Sequence, residues 1–364
     1  MILHRYFARR FFVTFLGVLA VFALIMMFLD LVEQLRRYAS ADAGFADLIA
    51  LTLLNTPQGI YEILPLIMIL AAIALFLGLA RSSELVVTRA AGRSALRALL
   101  APLVVALLIG VGAVAVLNPI VAATSKEYEA RGGALRGNAS VLSIGSSGLW
   151  LRQGTDEGQT VIRAASANLD GTVLTDVTFI TFAPDSGPAR RVNADSAILT
   201  DGAWVLTNAK DWRFETDITP EAGAVQRAAM RIPSTLTPDQ IRDSFGTPSS
   251  IPIWELPAFI GRLQAAGFSA QRHVVWLHSE IAQPFFLMAM VMIGASFTIR
   301  HQRGGRTGLM VMLAILLAFT IYFIRNFAQV LGENGQLPAA LAAWAPPLAA
   351  MGLSLGILLH NEDG

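Results

Sequence analysis

The chain predicts an α-helical membrane protein: six spanning helices, three on either side of an inserted extracytoplasmic antiparallel β domain. Three observations predict it. Of its 364 residues, 54% are hydrophobic and only 15% charged, with a mean hydropathy of +0.57. A soluble domain has about 45–50% and about 25%. Six stretches carry no charged residue and are long enough to cross a hydrocarbon core of about 30 Å, which takes about 20 helical residues. Between the third and fourth stretches lie roughly 150 residues of β-type runs and turn residues, the pattern of a water-facing sheet.

The first stretch is Phe11–Leu29. Arg5, Arg9 and Arg10 precede it, and Ala39-Ser40-Ala41 imitates a leader cleavage site. The apolar run exceeds the usual leader core of about 7–15 residues. Glu33, Arg36 and Arg37 also separate it from the triplet, so a retained anchor is expected. Ile63–Ala80 and Ala98–Ser125 complete the first half. Ile281–Ile299, Thr307–Ile324 and Gly335–Leu359 form the second. In lipid only helices and closed barrels satisfy the backbone internally, so these runs are read as helices.

Arginine sets the orientation, because short cytoplasmic loops collect basic residues. The N-terminus carries Arg5, Arg9 and Arg10. The loop after the second helix carries Arg81, Arg89, Arg93 and Arg97, and the loop after the fourth Arg300, Arg303 and Arg306. On the other side Arg36 and Arg37 are diluted by Glu33, Asp42 and Asp47, and the last loop has Glu333. Both termini are expected in the cytoplasm, and the insert outside it.

In the insert, Leu149–Leu151, Thr160–Ala164, Val173–Phe182, Ala197–Leu199 and Trp204–Leu206 read as short strands of a sandwich or barrel. Asp201-Gly202 between two of them predicts a tight hairpin. Pro233, Pro238, Pro248, Pro252 and Pro257 mark a linker. Trp254–Ala266 has helical spacing and suits either the membrane surface or packing beside the domain. The expected organisation is residues 1–125 with helices one to three, 126–254 with the β domain and linker, and 255–364 with the surface helix and helices four to six.

Much chemistry is excluded. There is no cysteine, so no disulfide, thiolate metal site or cysteine nucleophile. The net charge of +1 gives no bias toward nucleic acid. The only lysines, Lys126 and Lys210, follow Ser125 and Ala209, so neither completes the Gly-Lys-Ser/Thr of a phosphate loop. His273, His278 and Glu280 cluster before the fourth helix at a spacing that poorly shares one helix face. No catalytic set, metal or cofactor is expected.

The short loop after the second helix is more informative. In Arg81-Ser82-Ser83-Glu84-Leu85-Val86-Val87-Thr88-Arg89-Ala90-Ala91-Gly92, a serine can cap a helix and Glu84 suits its positive end. Gly92 can end it. The segment reads as a short helix with a carboxylate at its start, suited to docking a cytoplasmic partner or to a plain surface loop.

These residues carry a family resemblance. The chain resembles the LptF/LptG permeases of the lipopolysaccharide-export ABC transporter, with the LptG side the nearer. The likeness rests on Asp30–Arg37, on Arg81–Val87 with Ala91-Gly92, on Gly148-Leu149-Trp150, and on Trp276 with Gln283-Pro284. It implies a β-jellyroll insert and a subunit that is not itself an ATPase. The implied partners are an LptF-like permease, two LptB-like ATPases, an LptC-like membrane-anchored jellyroll protein, and lipopolysaccharide. It implies ATPase coupling through Arg81, Ser83, Glu84, Leu85, Arg89 and Gly92. It places Arg36 and Arg37 near the lipid, where guanidinium groups can hold phosphates in bidentate fashion or simply snorkel to the interface. The same lipid-facing set includes Asp30, Phe28, Lys126, Arg131, Phe319 and Phe323, with Phe22 and Leu24 as further apolar wall. One departure stands out: family members often carry a basic residue where this chain has Asp30. The acid can pair with Arg37 or Arg325, or it reflects a different headgroup charge. Competing readings are a permease for another lipid or for lipoproteins, and a membrane-anchored binding module. The three-plus-three layout disfavours the first. The lack of a cytoplasmic output domain disfavours the second.

Overall fold

A computed structural model describes residues 2–39, 44–82, 84, 95–136, 142–145, 148–155, 158–168, 172–182, 187–200, 202–214, 221, 223–234, 236–237, 247–265, 269–299 and 307–363. The chain forms two units. One holds the helices (Met1–Arg136, Ser249–Trp254, Gln271–Gly364). The other is built on the sheet (Gly137–Pro248, Glu255–Ala270).

The first half contains α1 (Ile2–Arg37), α2 (Phe45–Arg81) and α3. α3 is Ala95–Gly112 and Asn118–Arg136, joined by a π-helical turn at Ala113–Leu117. The second half contains α5 (Gln271–Thr298), α6 (Thr307–Glu333) and α7 (Ala339–Asp363). All six are long and apolar enough to cross a membrane. Several run well past their charge-free cores. α2 begins at Phe45 rather than near Ile63, taking in Asp47, Asn55, Gln58 and Glu62. α5 begins ten residues before Ile281, with His273 and Glu280 buried inside the unit. A charge-free run measures the part that lipid must surround, whereas a helix continues wherever neighbouring helices partner its polar side chains.

α5 is the centre of the helical unit. Its Phe286, Leu287, Met290, Val291 and Ile293 are wholly buried, against a cluster that includes Ile67, Met68 and Phe76 of α2. Lipid tails are as apolar as leucine, so packing and close approach, rather than water exclusion, hold such helices together. Glycines make the approach possible. A Cβ on Gly110 of α3 would stand 2.5 Å from the Pro284 Cα of α5, and one on Gly294 would stand 2.9 Å from the Ala72 Cβ of α2. α1 contrasts with α5: Val21, Leu24, Phe28 and Leu29 are exposed on it.

The other unit is a single antiparallel sheet of seven strands in consecutive order. The strands are β1 (Leu142–Gly145), β2 (Gly148–Thr155), β3 (Gly158–Ala167), β4 (Val173–Phe182), β5 (Pro188–Thr200), β6 (Ala203–Arg213) and β7 (Val225–Pro233). Where the residues alone allowed a sandwich or a barrel, the pairing is this one up-and-down sheet. The expected hairpin joins β5 to β6, with Thr200 opposite Ala203 and Gly202 at φ +74°; Asp201 lies outside the described residues. That left-handed conformation favours glycine. α4 (Leu256–Ala265) buries Leu256, Ile260 and Leu263 within this unit, so its apolar stripe packs beside the sheet.

The sheet has a crease. Asp176 of β4 and Asn208 of β6 have positive φ, 50° and 54°, and neither has a ladder partner. Asp195 of β5 is skipped too, and it accepts a 2.9 Å hydrogen bond from Asn208. On each strand the buried parity switches there: Leu174 then Val177, Ala194 then Ala197, Leu206 then Ala209. The register runs on unchanged across the row, Thr175 opposite Ser196 and Val177 opposite Ala194, so no residue is inserted; the left-handed backbone at Asp176 and Asn208 marks the place where the buried face turns over. Phe179 and Trp204, both buried, meet edge to face at 6.3 Å.

Candidate functional site

Two polar networks flank α1, one at each end. At the Ile2 end the focus is Glu84, just beyond α2. Its carboxylate accepts from Arg10 Nη1 at 2.5 Å, Tyr6 Oη at 2.9 Å and Ser82 Oγ at 2.7 Å. Arg10 Nη1 also donates to Tyr6 Oη at 2.7 Å, closing a ring of contacts. Partial burial by itself would raise the Glu84 carboxyl. The hydrogen bonds from Arg10, Ser82 and Tyr6, with the Arg10 charge, outweigh it and hold the group below its usual range. The carboxylate therefore stays charged and tied to α1. Arg81 is exposed at the last turn of α2. Ser83, Leu85, Arg89 and Gly92 lie outside the described residues.

At the Arg37 end, Asp30 accepts from Asn55 Nδ2 of α2 at 2.6 Å and from Gln34 Nε2 at 3.3 Å. Gln34 is buried and donates to Tyr128 Oη of α3 at 2.9 Å. Arg37 Nη1 reaches the same oxygen at 3.2 Å. Beneath lies a small apolar cluster of Tyr38, Leu48 and Leu51. This corrects one expectation. Among the described residues neither Arg37 nor Arg325 pairs with Asp30. Two neutral amides satisfy it, and Arg325 lies over the Phe286 ring at 4.7 Å. Arg36 is the most exposed of the set, and it makes a two-pronged contact with Glu33 at 3.1 Å for each prong.

Arg131 of α3 pairs with Glu127 at 2.7 Å, and Lys126 is exposed on the same helix. Tyr128 thus brings this stretch of α3 to the end of α1. The aromatic wall residues behave as a separate group. Phe28 is 65% exposed, Phe319 44% and Phe323 71%. Phe319 and Phe323 share one face of α6, four residues apart. Leu24 is exposed as well, whereas Phe22 packs partly against the core.

Sequence reasoning missed Tyr6, Arg10, Gln34, Asn55 and Tyr128. Tyr6 and Arg10 carried a signal, an i, i+4 pair on one helix face. Gln34 carried the same spacing to Asp30, whereas Asn55 and Tyr128 carried none, because their partners lie on other helices.

Six helices long and apolar enough to cross a membrane, an inserted β domain and polar networks at both ends of an exposed first helix describe a polytopic permease-type membrane protein. From residue 5 to 360 the chain matches the family described as "Lipopolysaccharide export system permease LptF/LptG". It belongs to that family. It is 24% identical to the lipopolysaccharide export system permease protein LptG of Haemophilus influenzae, over 94% of this chain and 96% of that protein. It is 23% identical to the protein of the same name from Escherichia coli K12, over 99% of each.

Proposed function

We propose that this chain is the LptG-type subunit of an exporter that lifts lipopolysaccharide out of the inner membrane and passes it to a β-jellyroll path. The observation that carries the reading is the family match across nearly the whole chain, with relatives named LptG aligned end to end. Its partners are an LptF-like permease, two LptB-like ATPases and an LptC-like protein. Both termini face the cytoplasm and the β domain faces the periplasm.

The networks suggest how force travels. α1 runs unbroken for 36 residues, about 54 Å at 1.5 Å per residue. A push on the segment around Glu84 is delivered to α1 through Arg10 and Tyr6. At the far end the same rod carries Asp30, Arg36 and Arg37. Shifting it narrows a cavity shared with the partner permease, with Phe28, Phe319 and Phe323 against acyl chains and Arg36, Arg37, Lys126 and Arg131 near phosphates. ATP supplies the difference in lipid affinity between the open and narrowed states.

The test is purification of the tagged chain from its native membrane in mild detergent. The expected result is co-purification of a second permease of this family and an ATPase, with hydrolysis that responds to lipopolysaccharide. Isolation without any ATPase, or with one that responds only to lipoproteins, refutes the proposal.

A further inference from the structure

Ionisable side chains inside a membrane bundle are costly and tend to serve a purpose. Glu280 of α5 is 2% exposed, and its carboxylate accepts a short hydrogen bond from Tyr61 Oη of α2. This bond joins the first three-helix half to the second. Arg325 of α6 supplies a nearby positive charge without a direct ion pair, and the Asn118 side chain of α3 stands beside both Glu280 and Tyr61. Four helices therefore meet at one polar point.

Asn118 sits at an irregular place for a reason written in the sequence. Pro119 has no N–H and clashes with the carbonyl four residues back, which is that of Ala115. The helix responds with the π-helical turn at Ala113–Leu117, closed by Asn118 N–H to Ala113 O. The freed Ala115 carbonyl accepts from Trp254 Nε1 at 3.3 Å. Asn118 Oδ1 accepts from the Ile253 backbone N–H at 2.9 Å, in a buried setting. Both donors belong to Ser249–Trp254, the short piece of the helical unit that lies between two segments of the β unit. π-Turns inside α-helices are frequent at functional places.

We propose that the Tyr61–Glu280 bond and the Asn118 clamp form one switch, so that parting α2 from α5 releases Ser249–Trp254, the piece of the helical unit set between two segments of the β unit. Asn118 is the shared part: its Oδ1 holds the Ile253 amide, and the same side chain stands beside Tyr61 and Glu280. Movement between the halves is thereby felt at Ser249–Trp254, one of the places where the chain passes between the units, whatever lipid is carried and whatever drives the movement.

Amide deuterium exchange reads the clamp directly, on peptides covering 249–254 of the full chain in nanodiscs with the subunits that co-purify. Asn118→Ala removes the acceptor of the Ile253 amide and speeds exchange there about fivefold, the factor one lost hydrogen bond gives. Tyr61→Phe and Glu280→Gln keep side-chain size and leave Asn118 in place. They speed the same peptide by a similar factor, while peptides from α7 keep their parent rate. Parent-like exchange at 249–254 in both variants overturns the switch, because clamp and cluster are then independent. Faster exchange throughout α7 as well overturns it too, since general loosening is then the cause. Parent-like exchange in Asn118→Ala overturns the clamp itself. None of these results depends on lipopolysaccharide or ATP, so the outcome is separate from that of the export reading.

Discussion

Removing the tie between Arg10 and Glu84 tests whether the segment after α2 is mechanically joined to α1. The two side chains are 34% and 32% exposed, with Nη1 to Oε1 at 2.5 Å. A fully exposed pair contributes about 0.2–1 kcal/mol, and a hydrogen bond to a charged group about 1.5–3 kcal/mol. At about one-third exposure, solvent screening keeps the pair near the lower range. Tyr6 and Ser82 hold the carboxylate in place and limit the entropy lost. A coupling energy of about 1 kcal/mol is expected. The assay is a double-mutant cycle of Arg10→Ala, Glu84→Ala and both, by reversible unfolding of the chain in mixed micelles at pH 7. The sign of the pH dependence is fixed by the lowered Glu84 carboxyl. The unfolded chain takes up the proton first, so the contribution is complete above the ordinary glutamate range and fades as pH falls through the folded value. A coupling below about 0.3 kcal/mol, within ordinary additivity, or one undiminished in strong acid, refutes the tie. The exchange Arg10→Glu with Glu84→Arg should recover part of the coupling, whereas Glu84→Lys alone sets two cations together and weakens it.

Other outcomes follow from the packing and the networks. Gly110→Val must move the Pro284 backbone, since even a Cβ stands 2.5 Å from its Cα. Overpacking costs about 1–3 kcal/mol, visible as a lower thermal aggregation temperature, whereas Gly352→Val on an open face should be near neutral. Asp211→Ala strips Arg190 of a two-pronged contact at 2.8 Å for each prong, with Asp211 only 5% exposed. Losing about 1.5–3 kcal/mol there should raise limited proteolysis of the β unit by roughly ten- to a hundredfold. Arg36→Glu with Arg37→Glu should weaken photocrosslinking of lipopolysaccharide to the end of α1; unchanged crosslinking returns the pair to snorkelling.

The sequence by itself determined the architecture. Lipid leaves a backbone few solutions, so charge-free runs read directly as spans, and a change in composition marks the water-facing insert. It also singled out Glu84 by chain position and charge, while Arg36 and Arg37 were singled out by the family resemblance. It did not determine helix length, because α2 and α5 continue through polar residues that neighbouring helices satisfy. Tyr128 and Asn55 were silent in sequence, since each matters only through a partner on another helix. Asp30 shows the limit most plainly: its charge suggested an arginine partner, and two amides took the place. Only the tertiary structure decided the crease across β4–β6. Strict alternation predicts one unbroken inward face, while the left-handed backbone at Asp176 and Asn208 switches it midway with the strand register unchanged. The π-turn lies between the two cases. Pro119 stands inside the run Ala98–Ser125 that reads as one span, and what the break there releases, and what it holds, depends on a segment more than a hundred residues away.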